Sequence, residues 1–395
     1  MKKGARMASI YKNADLTLIA TRSPDPSGGC FAVSHEHRSS AWNVTDTVRQ
    51  RHEVHSRVPL NHWPFLSNDL PLLRRGWALQ ERLLSTRTVD FTSDELVWEC
   101  LESFTCECSK IQPGEGYFDT TKAIVHATFS DNASLADINS QWQTIVNLYS
   151  AKSLTYSCDI FPALQGLAKT VPAKMGPYLA GLWGKTLSES LSWRSVSSEA
   201  HPRPQPWRAP TWSWASTTGQ IFWWKTDHVV TYATVLGANT TPKGKGVTAE
   251  IVSGELRLQG RCLRAKVRYG KAVKKPFDRQ ESNASVHLHD SRGWMLLACA
   301  QGSTHELRWD YGIESPGEYQ VADGSDIFLT QIETGLEASV FLIIRHSAEA
   351  MDMYERIGLL KIWTSSRSFV PDDRLIGERA GVAYAACPEM EITIT

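Results

Sequence analysis

From residue 255 onward the sequence repeatedly alternates apolar and polar side chains, ELRLQGRCLRAKVRY at 255–269 being the longest example. A period of two puts successive side chains on opposite faces, so such a run is a strand that covers a core with one face and meets water with the other. GWMLLACA at 293–300 and SVFLIIRH at 339–346 read the same way, which predicts an antiparallel sheet or barrel. Upstream, between Asp119 and Ser197, the period is helical. Trp142, Ile145, Val146 and Tyr149 keep one stripe, and FPALQGLAKTV at 161–171 repeats it with Pro162 at a helix start. The four prolines of HPRPQPWRAPTWSWAS at 201–216 predict an extended segment between the two regimes. Trp207, Trp212, Trp214, Trp223 and Trp224 crowd this region. Alternate residues such as Trp212 and Trp214 share a strand face and are expected to pack the middle helices onto the sheet.

The amino-terminal part mixes periods. ARMASIYKNA at 5–14 places Met7, Ile10, Tyr11 and Ala14 at helical spacing, and LTLIAT at 16–21 reads as a buried strand. SPDPSGG at 23–29 is turn chemistry, and the stretch to Asn68 lacks periodicity, which predicts a long irregular excursion. His35, His37, His52, His55 and His62 fall in it, with Asp25 and Glu36 nearby, at no metal-binding spacing, so they read as solvated loop histidines. A helix from Pro71 to Ser85 follows, then strands at TVDF (88–91) and ELVWEC (95–100). The domain expectation is therefore three segments, 1–110, a helical connector at 111–200, and a β-rich part at 201–395.

Forty-two basic residues balance forty-two acidic ones, so no net field favours nucleic acid or an anionic membrane. The longest apolar runs are strand-length, which predicts no membrane span, and the start lacks the apolar stretch of a secretory signal. Eight cysteines spread over 395 residues suit free thiols in a reducing, cytoplasmic setting. Cys100, Cys106 and Cys108, with His126 downstream, match no common closed zinc site. A C-x-C pair is expected to place its two thiolates badly at one tetrahedral ion, so the reading is free cysteines and no metal. Ser213 and Ser216 sit in no nucleophile elbow and GKGV at 244–247 lacks the parts of a phosphate loop, which excludes serine hydrolase and kinase chemistry.

In RRGWALQERLLS at 74–85 and the residue before it, Leu73, Trp77, Gln80 or Glu81, and Leu84 fall on one helical stripe. The helical neighbours of Glu81 are Trp77, Ala78, Leu84 and Ser85, none of them basic. A group outside the helix must therefore satisfy its carboxylate.

The run RRGWALQERLLSTRTVDFTSDELVWEC (74–100) resembles the most characteristic motif of the heterokaryon incompatibility (HET) family of filamentous fungi, a helix and two strands ending in Trp-Glu-Cys. RMASIYKNADLTLIAT and PSGGCF upstream are similar to the segment before that motif. FPALQGLAK, YLAGLWGKTLSESLSWR, RAPTWSWAS and YERIGLLKIW look like the region that follows the domain in many members. Two earlier family motifs have no counterpart, so the resemblance implies a truncated member beginning inside the domain. The implied fold is an α/β remnant of a domain similar to the Toll/interleukin-receptor (TIR) fold at 1–110, α+β overall, with central parallel strands missing.

The resemblance implies a role in fungal non-self recognition and programmed cell death through protein partners, with room for a homo-oligomer and no cofactor. NAD enters as substrate: NAD-cleaving TIR-type enzymes carry a glutamate four residues after a helical tryptophan, which points to Glu81 as catalytic residue, Trp77 as site wall and Gln80 as support. A carboxylate on a half-apolar wall suits the oxocarbenium-like state of that cleavage. The structural alternative, which is favoured, is that Glu81 or Gln80 accepts backbone N–H bonds and holds the 23–68 excursion in place. A non-enzymatic interaction protein or pseudo-effector is the corresponding functional alternative.

Overall fold

The computed structural model describes residues 2–31, 41–55, 70–109, 121–196, 202–224, 230–244, 250–270, 284–290, 293–299, 305–348, 350, 352–363 and 371–395. His35, Glu36, His37 and His62 lie outside these. The chain forms two compact units, the first made of Met1–Ser130, Lys152–Leu154 and Ala163–Thr170, the second of Asp131–Ala151, Thr155–Pro162 and Val171–Thr395. Overall it is a mixed α and β protein with mostly antiparallel sheets. No helix among the described residues is long and apolar enough to cross a membrane.

The first unit contains helices α1 (Lys2–Lys12), α2 (Gly76–Leu84), α3 (Lys122–Thr128) and, among the residues it takes from further along the chain, a single turn at Gln165–Ala168. Its strands are β1 (Thr17–Ile19), β2 (Ala41–Thr45), β3 (Arg51–His55), β4 (Arg87–Phe91), β5 (Leu96–Cys100) and β6 (Phe104–Cys106). They make one sheet in the order β1-β4-β5-β6, of whose pairings only β1–β4 is parallel, plus the separate hairpin β2–β3. That hairpin corrects the expected irregular excursion. Asp46 caps its turn by accepting from the N–H groups of Val48 and Gln50, and His52 lies on β3 2.9 Å from the Asp46 carboxylate, so it is not a loop residue. On α1 the inward groups are Met7, Ala8 and Tyr11, whereas Ile10 is exposed.

The sheet's inner face carries charged and polar groups among its apolar ones, which the sequence reading did not foresee. On β4 the buried residues are Thr88 and Asp90, and on β5 they are Val97 and Glu99. Glu99 is the centre of a closed ionic cluster. Its Oε2 accepts from Arg82 Nε at 2.9 Å and from Lys122 Nζ at 2.9 Å, its Oε1 accepts from the backbone N–H of Lys122 at 2.9 Å, and Lys122 Nζ also donates to Thr88 at 2.8 Å. Burial alone would push the Glu99 carboxyl up, but Arg82 and Lys122 pull it below the usual carboxylate range. Burial pushes Lys122 down and Asp90 up.

The second unit carries α4 (Leu135–Ser150) and, further on, α5 (Leu187–Ser190) and α6 (Pro371–Ala385). α4 begins with Ser134 accepting from the N–H of Asp137, a capping arrangement, and buries Trp142, Ile145, Val146 and Tyr149, the stripe the sequence predicts, together with Ile138. Short hairpins pair β7 (Tyr178–Leu179) with β8 (Leu182–Trp183) and β9 (Trp193–Ser195) with β10 (Ile221–Trp223). The large sheet follows, from β11 (Val230–Thr231), β12 (Thr234–Pro242), β13 (Ile251–Arg261), β14 (Leu263–Tyr269), β15 (Ala284–Asp290), β16 (Gly293–Cys299) and β17 (Glu306–Trp309) to β18 (Asp326–Thr334), β19 (Ala338–His346), β20 (Met353–Trp363) and β21 (Glu389–Ile394). Its main path is β12-β13-β21-β20-β19-β18-β14-β15-β16. All its pairings are antiparallel except β20–β21.

β13 alternates buried and exposed residues as its sequence demands. β19, expected to alternate, is instead buried continuously from Ala338 to Ile344, because it lies in mid-sheet with both faces covered. The 201–216 segment is not a strand at Trp212–Trp214, since a 3-10 turn starts after Ser213. Both indoles are nevertheless buried, whereas Trp207 is exposed. Trp214 packs edge-on against Tyr149 and Phe161 and, like Trp142, donates to the Gly181 carbonyl. Arg356, fully buried, donates to Asp310 at 3.0 and 3.2 Å and to the carbonyls of Leu191 and Trp193, and it stacks 3.5 Å over the Trp193 ring.

Two outcomes follow. Lys122→Met leaves Glu99 with one cationic partner, and the first unit should lose about 3–5 kcal/mol of stability in urea unfolding; wild-type stability would show the cluster to be inert. Gly181 sits at φ +92°, and a Cβ there would lie 2.3 Å from Trp214 Nε1. Gly181→Ala should cost roughly 3 kcal/mol, with a change in tryptophan fluorescence that reports the displaced indole.

Candidate functional site

The residues singled out in the sequence all lie on α2. Arg75 occupies its cap position and supplies no side-chain cap, so the N–H of Gly76 donates instead to the Ser153 carbonyl at 2.8 Å. The buried face runs through Gly76, Ala78, Leu79, Gln80, Leu83 and Leu84, which places Trp77 and Glu81 at its half-buried margin and not on the stripe's centre.

Glu81 meets the requirement for an outside partner. The hydroxyl of Tyr11, on α1, donates to its carboxylate, and the Arg75 guanidinium lies within electrostatic reach. Burial pushes the Glu81 carboxyl up, and the Tyr11 bond and Arg75 charge only partly offset this. Tyr11 itself is pushed up to about 12, first by burial and then by the Glu81 charge. The helix also ends on this residue, since the N–H and hydroxyl of Ser85 both donate to the Glu81 carbonyl.

Gln80 is buried, and its Oε1 accepts the backbone N–H of Gly166 at 2.5 Å. A backbone N–H bond of the kind anticipated is thus present, but it comes from the Gln165–Ala168 turn and not from the 23–68 stretch. Gly166 is required there, because a Cβ would lie 2.6 Å from Gln80 Oε1 and 2.6 Å from Leu84 Cδ1. Arg82, one position beyond Glu81, reaches Glu99. Consecutive polar residues of α2 thus bind α1, the Gln165–Ala168 turn and β5.

Sequence reasoning passed over Glu99, the acidic residue of the Trp-Glu-Cys end of the motif. The signal was available, as β5 reads Leu-Val-Trp-Glu-Cys and Glu99 shares the face of Val97. A carboxylate on the inward face of a strand needs a buried cation, and Lys122 provides it.

The cysteines also sit differently from expectation. Cys106 and Cys108 bring their Sγ atoms within 3.2 Å of each other, so C-x-C spacing does not drive the two thiols apart here. Glu95, not His126 or Cys100, is the third group beside them. Cys100 is held separately by the Ser103 hydroxyl and by the N–H groups of Glu102 and Ser103.

Comparison with known proteins bears on the segment that contains α1 and most of α2. No curated protein and no solved structure matches the chain. Residues 1–81 match the family model described as heterokaryon incompatibility protein (HET), a match that ends at Glu81.

Proposed function

We propose that the protein serves fungal non-self recognition and vegetative incompatibility in the cytoplasm, signalling cell death by binding protein partners, itself among them, and not by turnover of a substrate. Residues 1–110 are read as TIR-like HET-domain sequence. One observation carries the preference for binding: the polar side chains of α2 that chemistry would need are already spent as struts, Gln80 on Gly166 and Glu81 on Tyr11.

A second reading, NAD cleavage by Glu81, is favoured by the half-buried position of that carboxylate beside Trp77 and by its raised pKa.

Expression in a filamentous fungus, scored by dye uptake and cellular NAD, separates the two. Glu81→Gln keeps an acceptor for Tyr11 and should leave cell death intact, while Gly166→Ala, which forces the Gln80 strut apart, should abolish it. Loss of both NAD depletion and death in Glu81→Gln at equal protein level would establish the catalytic reading instead.

The same variant has a solution signature. Because the folded-state pKa of Glu81 is raised, its contribution to stability is complete below the unfolded pKa and is lost as pH rises through the folded one. Glu81→Gln should remove that component from the pH dependence of urea unfolding.

A further inference from the structure

Glu95, Cys106 and Cys108 converge at the end of the β5–β6 pair. β5 and β6 are in register at Val97 and Cys106, and Glu95 immediately precedes β5 while Cys108 lies two residues past the β6 residue Cys106. The turn before Glu95 is fixed by Thr92, whose hydroxyl donates to the Glu95 carbonyl at 2.6 Å and accepts from its N–H at 3.2 Å. Glu107, between the two cysteines, points elsewhere and accepts the N–H of Leu96 at 2.9 Å. The C-x-C segment is therefore tied down on both sides of the strand, and its two sulfurs are delivered to one place.

The donor geometry is that of three corners of a small tetrahedron. The two sulfurs are 3.2 Å apart, Cys108 Sγ lies 3.4 Å from Glu95 Oε1, and the three donor atoms are within 4.8 Å of one another. Metal–sulfur bonds of about 2.3 Å and metal–oxygen bonds of about 2.0–2.2 Å imply tetrahedral edges of roughly 3.5–3.8 Å. A small opening of the side chains reaches that size. Glu95 and Cys106 are buried, and the sulfurs border an apolar cluster of Leu73, Val97 and Phe104. The second carboxylate oxygen of Glu95 accepts the backbone N–H of Cys108 at 2.9 Å, which orients Oε1 toward the sulfurs, as the outer shell of a metal site does.

We propose that Glu95, Cys106 and Cys108 bind one divalent zinc ion. Two thiolates select a thiophilic ion, and a hard carboxylate beside them favours divalent zinc over monovalent copper. The three donors among the described residues leave a fourth tetrahedral position open to a further ligand such as water. On binding, each thiol forms a sulfur–metal bond and gives its proton to solvent, so two protons are released per ion and affinity falls toward acid pH. A disulfide between the two cysteines gives no role to the buried carboxylate aimed at them. This site is independent of the proposed role in incompatibility, and its test does not use cell death as a readout.

The test uses the full chain, purified under reductant, stripped with a chelator and titrated anaerobically with cobalt(II). One equivalent should produce thiolate-to-cobalt charge transfer in the near ultraviolet together with the visible bands of a tetrahedral site, and zinc should bleach both. Cys106→Ser with Cys108→Ser should eliminate the charge transfer, Glu95→Gln should weaken binding about tenfold or more, and Cys100→Ser should leave it unchanged. Should the double variant fail to fold, alkylation of wild-type protein mapped by peptide mass spectrometry decides. Zinc should protect Cys106 and Cys108 while the exposed Cys158 still reacts. No charge transfer in wild type, a band that survives in a folded double variant, absence of zinc protection, or a Cys106–Cys108 disulfide in protein that binds no cobalt after reduction would each overturn the proposal.

Discussion

A carboxylate enclosed by the first unit's sheet and helices dictates how that unit is assembled. Glu99 contributes no apolar surface, yet it gathers Arg82 from α2, Lys122 from the start of α3 and, through Lys122, Thr88 from β4. An unpaired charge in such a place is far more costly than the net gain from pairing it, so the cluster acts mainly as a constraint on geometry. α2 cannot rotate without withdrawing Arg82, and α3 cannot start elsewhere without withdrawing both the N–H and the ammonium group of Lys122. Glu81 and Gln80 face their own partners because Arg82 fixes the helix between them and the sheet.

The second unit solves the same problem around Asp310, paired directly with Arg356 and with Arg203 within electrostatic reach. Arg356 spends four hydrogen bonds of its guanidinium on Asp310 and two carbonyls and lays its flat face on Trp193. Lysine offers neither the fork nor the plane, which makes the residue type as constrained as the position. The indoles of Trp142 and Trp214 meet on one carbonyl at a left-handed glycine, a second place where a polar atom sets the packing of large apolar groups.

Much of this architecture was legible before any coordinates. The α4 stripe and the β13 alternation follow from periodicity alone, and the absence of a basic neighbour around Glu81 correctly required a partner from another element, which Tyr11 supplies. What periodicity could not show is where both faces of a strand are covered. β19 is therefore buried from Ala338 to Ile344, while β4 turns Thr88 and Asp90 inward, a choice of face that the alternation of TVDF does not specify. The β2–β3 hairpin escaped because its strands are short and exposed, with a turn set by Asp46. α6 escaped as well, since Pro371–Ala385 carries Gly and charged residues without a clear apolar stripe. Polar residues used as internal struts look, in sequence, like solvent-facing ones.

The two units share the polypeptide in alternation, the first reclaiming Lys152–Leu154 and Ala163–Thr170 after the second has already begun at Asp131. No single cut in the backbone therefore yields either unit whole. During synthesis the ribosome must deliver Gly166 before the glutamine of α2 has its partner, and β21 must emerge before β13 gains its second neighbour. Maturation thus cannot proceed strictly from the amino terminus, and both halves wait on segments made later.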